Sequence, residues 1–475
     1  MSRLLAGFSL LACLTTGIAI ANRCWSGTDR SPANRALSTV LGAGIGLGLA
    51  AVSATIETSF VVAPTMWCRG LELGCGLAAL VWLAYQRAHP TPPGAAGPPH
   101  MPRWLGFAFG LLIVLALVLF LRRAVDIPHG DYDAIANWNQ RASMLVREPA
   151  SPQPLRFQVW AGQTSTPHTD YPPLLPHTVS RLWRALGDET WWAPAVLGLA
   201  FATATVLVLW LALKVMRSRT LAAVAGCALL GTTSFPYQAA GQIADVQVGF
   251  FYLCTVVAIG FALQPGTESR RGWVLVGMAA GSALLCKNEG TLFVAAFGLS
   301  FVVLLTLRHG ARTLARCAWV LVGGVPFVIA LLCHRALTPA NELLPFHRFG
   351  DVMQLALDGQ RWREGVPAFC SAVFGFGKGL AVLLLLLGWW LRRQGTMSVR
   401  THSTIAMAVF LAFGLCLLTQ FGLAILSPYG TRHHIDTTQA RLVLQWWPSL
   451  IFAVLLTMRD PWHGVAPACP SNHGF

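Results

Sequence analysis

Residues 104–121 read WLGFAFGLLIVLALVLFL, an apolar run without one charged side chain. A run of this length crosses the hydrocarbon core of a bilayer as a helix. Arg122 and Arg123 follow at once, and then GDYDAIANWNQRASML over 130–145, where polarity and period change together. This junction decides the fold: a spanning helix delivers the chain to a polar loop that is itself organised as a helix.

The rest of the chain repeats the first half of that pattern. Further apolar stretches of spanning length lie at about 3–21, 38–57, 70–86, 191–213, 220–236, 246–263, 272–286, 291–307, 317–334, 377–391, 403–426 and 442–457. Of 475 residues, 55% are hydrophobic and 11% charged, against about 25% charged in a soluble domain. Mean hydropathy is +0.57. The expectation is an all-α polytopic membrane protein with about 13 transmembrane helices, its large first outside loop carrying amphipathic interfacial helices. The first stretch, preceded by Arg3, reads as a retained span rather than a cleaved leader, because no small-residue cleavage site precedes a soluble domain. The Pro/Gly-rich PTPPGAAGPPHMP at 90–102 reads as a flexible linker. It divides the chain into an N-terminal three-span appendage (1–102), a core (103–460, with outside loops 122–190 and 335–376) and a cytoplasmic tail (461–475).

The formal charge of +15 does not point to nucleic acid. The basic residues stand in twos and threes between apolar runs, as in loops that orient a membrane protein. The 12 cysteines form no CxxC pair, and most sit in apolar runs as small buried hydrophobes. With loop 122–190 placed outside, the inside loops collect Arg23, Arg30, Arg35, Arg87, Arg103, Lys214, Arg217, Arg219, Arg270, Arg271, Arg308, Arg312, Arg316, Arg392, Arg393, Arg400 and Arg459. That agrees with the positive-inside rule. Lys287, Arg348, Arg432 and Arg441 fall outside, where the rule does not explain them. They serve either function or loop solubility and snorkelling.

In the first outside loop, Ile135, Trp138, Ala142 and Leu145 share one helical face. Asp133, Asn137 and Arg141 follow each other four apart on a more polar side. A carboxylate here can take a proton from a hydroxyl arriving from water; the plainer alternative is a helix cap plus an ion pair with Arg141. Further on, Asp170 precedes a Pro-Pro turn. After it Val179, Leu182, Trp183 and Leu186 line a second interfacial helix, with Arg181 and Arg184 off that face.

The pairing of GDYDAIANWNQRA with TDYPPLLP in the first outside loop resembles the GT-C superfamily of membrane glycosyltransferases. The similarity is to its protein mannosyltransferase-like and lipid A aminoarabinose transferase-like branches, over roughly residues 104–450. GQIADVQVGFFY (241–252) and LLCKNEGTLF (284–293) also resemble superfamily motifs. The resemblance implies a catalytic carboxylate at Asp133, with Asp131 second. It implies that Asp170, Asp245 and Glu289, with Asn137 and Trp138, lie near acceptor, sugar or metal. Tyr171 stands where a Lys is common in the aminoarabinose branch. The last outside loop, SPYGTRHHIDTTQARLVLQWWP (427–448), adds Arg432, His433 and Arg441. With Lys287 and Arg348 these are the candidates for a lipid phosphate, since guanidinium offers a planar fork of donors. A divalent metal is left open, its ligands Asp170, Glu289 and His434; adjacent histidines diverge and chelate poorly alone.

The implied activity is inverting transfer of a sugar from a polyprenyl-phosphate carrier. The acceptor would be a glycan, lipid or protein at the periplasmic face of a bacterial inner membrane. Membrane lipid is the implied environment and nucleic acid no partner. Two rivals stand beside it. A lipid-linked oligosaccharide ligase or polymerase would use the same class of carrier. A lipid or solute transporter would show polar residues at mid-bilayer and inverted repeats, and neither is seen in the sequence.

Overall fold

The computed structural model describes residues 3–25, 31–59, 65–88, 101–147, 168, 170–264, 270–311, 314–338, 349–379 and 400–458. The described chain is helical throughout. In order run α1 (Arg3–Cys24), α2 (Pro32–Ser59), α3 (Thr65–Ala88), α4 (Arg103–Asp126), a π-wound turn (Ala134–Asn139) and α5 (Gln140–Arg147). Then come α6 (Leu174–Leu186), α7 (Trp192–Met216), α8 (Arg219–Leu230), α9 (Ser234–Ala240), α10 (Asp245–Ala262) and α11 (Arg270–Leu284). The last are α12 (Asn288–His309), α13 (Leu314–Leu337), α14 (Phe349–Leu357), α15 (Gly359–Phe374), α16 (Arg400–Leu426) and α17 (Thr431–Thr457).

Among the described residues, 10 helices are long and apolar enough to cross a membrane. They account for most of the expected spans, and the all-α polytopic architecture holds. Of the other three, 272–286 is the 15-residue α11, and 377–391 lies almost wholly outside the described residues. The stretch 220–236 is not one helix. α8 stops at Leu230, Gly231–Thr233 interrupt, and α9 resumes at Ser234. The break is stabilised from outside the segment, because Trp447 Nε1 donates to the Thr232 hydroxyl at 2.9 Å.

α10 is the axis of the bundle, with every residue but Phe261 buried. α7, α11 and α17 pack around it, α16 lies on α17 and α12, and α13 on α11. Phe250 and Phe251 meet edge to face, and Tyr252, Phe293 and Trp446 fill the other side. Such aromatic pairs add to apolar burial.

α2 enters the bundle by a stripe of small residues that the sequence reading passed over. Gly42 and Gly46 face α1: a Cβ on Gly46 would stand 2.6 Å from the Cys13 carbonyl oxygen and 2.7 Å from Leu14 Cα. Gly44 and Gly48, two residues on, face the other way, against Phe250 and Phe327. Two interleaved small-xxx-small rows thus let one helix pack closely on two faces, the usual device where lipid supplies no hydrophobic drive between helices.

Contacts between helix termini sort the described loops into two ends. At one end Arg217 donates to the Met458 carbonyl, Arg308 to Ser403 and Thr404, and Trp25 packs on Phe261. At the other end stand the α4–α6 segment, the α9–α10 and α11–α12 turns, the C-terminus of α13 and the start of α17.

Candidate active site

The segment after α4 is set by its backbone. Gly130 has φ +81°, a left-handed turn that favours glycine, and the Asp131 N–H donates to the Gly241 carbonyl at 3.0 Å. Opposite, Gln242 is a non-glycine residue at φ +57°. Two side-chain bonds hold that strained turn: Gln242 Nε2 donates to the Pro128 carbonyl and Asn139 Nδ2 to Gln242 Oε1, both at 2.8 Å. The α4–α5 segment is thereby tied to the turn that opens α10.

Asp245 lies at the base of this arrangement and is fully buried. Its Oδ1 accepts from Lys287 Nζ at 2.9 Å and Gln445 Nε2 at 2.6 Å. Its Oδ2 accepts from Arg441 Nε at 2.9 Å and lies 2.8 Å from Arg441 Nη2. The same Nη2 donates to Asp133 Oδ2 at 2.6 Å. Lys287 also meets Glu289 at 2.7 Å. A continuous chain therefore runs Asp133, Arg441, Asp245, Lys287, Glu289, drawn from the first loop and α10, α12 and α17.

The KNEG turn explains how Lys287 and Glu289 share one place. Lys287 is extended and α12 begins after it. Gly290 doubles back so closely on the Ala283 carbonyl that a side chain there would overlap it. Next to the turn, Asp170 Oδ2 accepts from Asn288 Nδ2 at 2.6 Å and lies 3.4 Å from Arg335 Nη1. Arg335 Nη2 donates to Asn288 Oδ1 at 2.5 Å. The Leu174 N–H donates to the Leu285 carbonyl at 2.9 Å, fixing α6 and its preceding turn to the same place.

Burial alone would pull the Lys287 ammonium down, but Asp245 and Glu289 overrule it and hold the group above its usual value. Burial and the charges of Glu289, Asp133 and Asp170 push the Tyr171 phenol well above its usual range, with Lys287 opposing. Tyr171 stacks on Trp138, with centroids 5.2 Å apart, and on His168 at 5.1 Å. Burial lowers Arg141 to about 9 while Asp170 pulls it back up; its Nη2 donates to the Tyr171 carbonyl at 2.8 Å.

The structure brings some of the expected residues together and places others elsewhere. Asp133, Asp170, Asp245, Lys287, Glu289 and Arg441 come together. Asp133 does not pair with Arg141: the arginine is buried against the Tyr171 backbone, and Arg441 from α17 takes the carboxylate. Asp131 pairs with Arg123 at 2.5 Å and anchors the loop. Trp138 and Asn137 are buried beneath the site, on a π-wound turn of the kind common at functional sites. The first helical face buries Trp138, Ala142 and Leu145 but leaves Ile135 exposed, and Arg181 is buried, not set off the apolar face. Arg432 is exposed and pairs with Asp436 at 3.6 Å. His433, exposed beside it, joins none of these contacts. Arg348 lies outside the described residues. His434 lies 3.4 Å from the Ser427 hydroxyl. Among the described residues no three His, Cys, Asp or Glu side chains gather to hold a metal. The carboxylates that would serve are already bridged by Lys287, Asn288 and Arg335.

Arg335, Asn288 and Gln445 were missed. Arg335 sits just past an expected span, at the outside end, where a cation has no orienting use. Gln445 is a polar residue in an apolar run, four after Arg441 and so on the same helical face.

Residues 170–334 match the family model of dolichyl-phosphate-mannose-protein mannosyltransferase. No curated protein and no solved structure matches the chain. The matched segment opens on Asp170 and contains Asp245 and the KNEG turn, the residues that the fold gathers at one end of the bundle. Over that segment the chain is similar to this family of membrane glycosyltransferases.

Proposed function

We propose that the protein is an inverting glycosyltransferase that moves a sugar from a polyprenyl-phosphate carrier to an acceptor hydroxyl at the periplasmic face of a bacterial inner membrane. The observation that carries this reading is the chain Asp133–Arg441–Asp245–Lys287–Glu289, which joins a loop carboxylate to cations held at the ends of spanning helices. In this reading Asp133 takes the acceptor proton as the acceptor oxygen bonds to the anomeric carbon. The bond from that carbon to the phosphate oxygen breaks, and its electron pair leaves on the lipid phosphate. Arg441 and Lys287, with Arg335 beside Asp170, stabilise that charge more in the transition state than before it. Asp245 holds Arg441 and Lys287 in place. Single displacement inverts the anomeric centre.

The test is to offer a panel of polyprenyl-phosphate sugars to purified protein with membrane extract. Transfer of label from one of them into the extract supports the reading; no transfer from any donor that the membrane contains overturns it. Sidedness is tested separately, by labelling Tyr132→Cys and Arg219→Cys in a background without native cysteines. The former should be reached from the periplasm only and the latter from the cytoplasm only.

A further inference from the structure

A second charged cluster lies apart from the site and joins α1, α2 and α3 to the first outside loop. Arg181, on α6, is 2% exposed and donates from Nη2 to Glu72 Oε1 of α3 at 2.8 Å. Glu72 also accepts from Arg69 Nη1 at 2.9 Å and from the Ser9 hydroxyl of α1. Arg69 Nη2 donates to Glu57 of α2 at 2.5 Å. Arg69, Glu72 and Ser9 are buried. Two arginines thus meet two glutamates, and four helices meet at one point.

Ionised groups buried in a membrane bundle are costly, so their presence calls for a role. A buried ion pair contributes little to net stability compared with apolar packing, but it fixes register. The element whose register is fixed here is α6. Its N-terminal end carries the Asp170 turn and meets Leu285, Asn288 and Arg335. Its middle is held by Glu72. Gly187, at its C-terminal end, lies against the Arg3 guanidinium of α1.

We infer that α1–α3 are a positioning unit for the active site: Glu72, through Arg181, sets α6 and so places Asp170. This rests on the transferase reading given above. Neither Glu72 nor Arg181 touches the carboxylate–cation chain, so both are positioning residues.

The experiment uses full-length protein in nanodiscs. Wild type is compared with Glu72→Gln and with the double variant Glu72→Leu/Arg181→Leu, which leaves Arg69 balanced by Glu57. Hydrogen exchange over 170–186 is measured together with kcat and KM of transfer, each rate taken per protein that keeps wild-type exchange in α10. The expected result is exchange at least about tenfold faster in 170–186. With it kcat falls about tenfold to 100-fold, as small displacements of a reacting group do, and KM for the donor stays within about twofold. Unchanged exchange in 170–186, or faster exchange with unchanged kcat, overturns the inference. If wild type moves no sugar from any polyprenyl phosphate, the transferase reading falls. The exchange arm then still decides whether α1–α3 hold α6.

Discussion

Replacing Asp245 by Asn removes one charge and two atoms' worth of acceptor symmetry from a site with no room to adjust. The carboxylate accepts at one oxygen from Lys287 and Gln445 and at the other from Arg441. An amide of the same shape accepts at one side only. Turned one way, its NH2 faces the guanidinium of Arg441; turned the other way, it faces the Lys287 ammonium and the Gln445 amide. Either orientation sets donors against donors and leaves two cations sharing fewer counter-charges in a fully buried place. Breaking a buried ion pair from one side costs about 3–5 kcal/mol, a shift of roughly 100-fold or more in the folded-to-unfolded ratio. Asp131→Asn is the comparison. Its side chain is 29% exposed and its single ion pair is worth about 1 kcal/mol or less. Reversible unfolding in mixed micelles reads both. Asp245→Asn within about 1 kcal/mol of wild type would refute the claim that Asp245 is the anchor of the cluster.

Arg441→Lys keeps the charge but loses the fork that spans Asp133 and Asp245, so kcat/KM for transfer should fall by about tenfold to 100-fold; a loss under twofold contradicts the bridging role. Burial, with the charges of Arg181, His334, Arg141 and Arg184, holds His177 well below its ordinary value near 6.5. The unfolded chain therefore takes up a proton below about pH 6.5 that the folded chain refuses, and stability falls with acid. Wild type should lose up to about 1.4 kcal/mol per pH unit more than His177→Gln between pH 6.5 and 5.5 in unfolding experiments. Gly46→Ala would press on the α1 backbone and should destabilise by about 1–3 kcal/mol. Gly74→Ala, with open space around it, should leave the melting temperature unchanged or higher.

The architecture was legible in the sequence where hydropathy alone decides it. The run at 104–121 became α4, and loops that the Lys and Arg count puts on one side meet through Asp133–Arg441, Asp170–Asn288 and Asp170–Arg335. Periodicity was less secure where tertiary contacts override it. The run at 220–236 is apolar except at its Gly-Thr-Thr-Ser stretch, where it breaks, and Trp447, distant in sequence, donates to the Thr232 hydroxyl there. Short motifs located Asp133, Asp170, Asp245, Lys287 and Glu289 but could not assign partners. Asp133 and Arg141 are one helical turn apart twice over and invite an ion pair. The pair that forms, Asp133 with Arg441, spans 308 positions. Arg432 and Arg441 looked equivalent in one loop sequence. Their difference is depth along α17, because one turn after another carries the chain from the exposed start of the helix into the cluster. The glycine rows of α2 were visible as GAGIGLGL at 42–49, and their alternate faces follow from helical spacing, but which helices they meet does not.

Single-turnover transfer from a polyprenyl-phosphate sugar, wild type against Asp133→Asn, is the most direct test of the account. If Asp133 is the general base, the variant should transfer at least about 100-fold more slowly while binding the lipid donor within a few-fold of wild type. Equal transfer rates in the two proteins would contradict it.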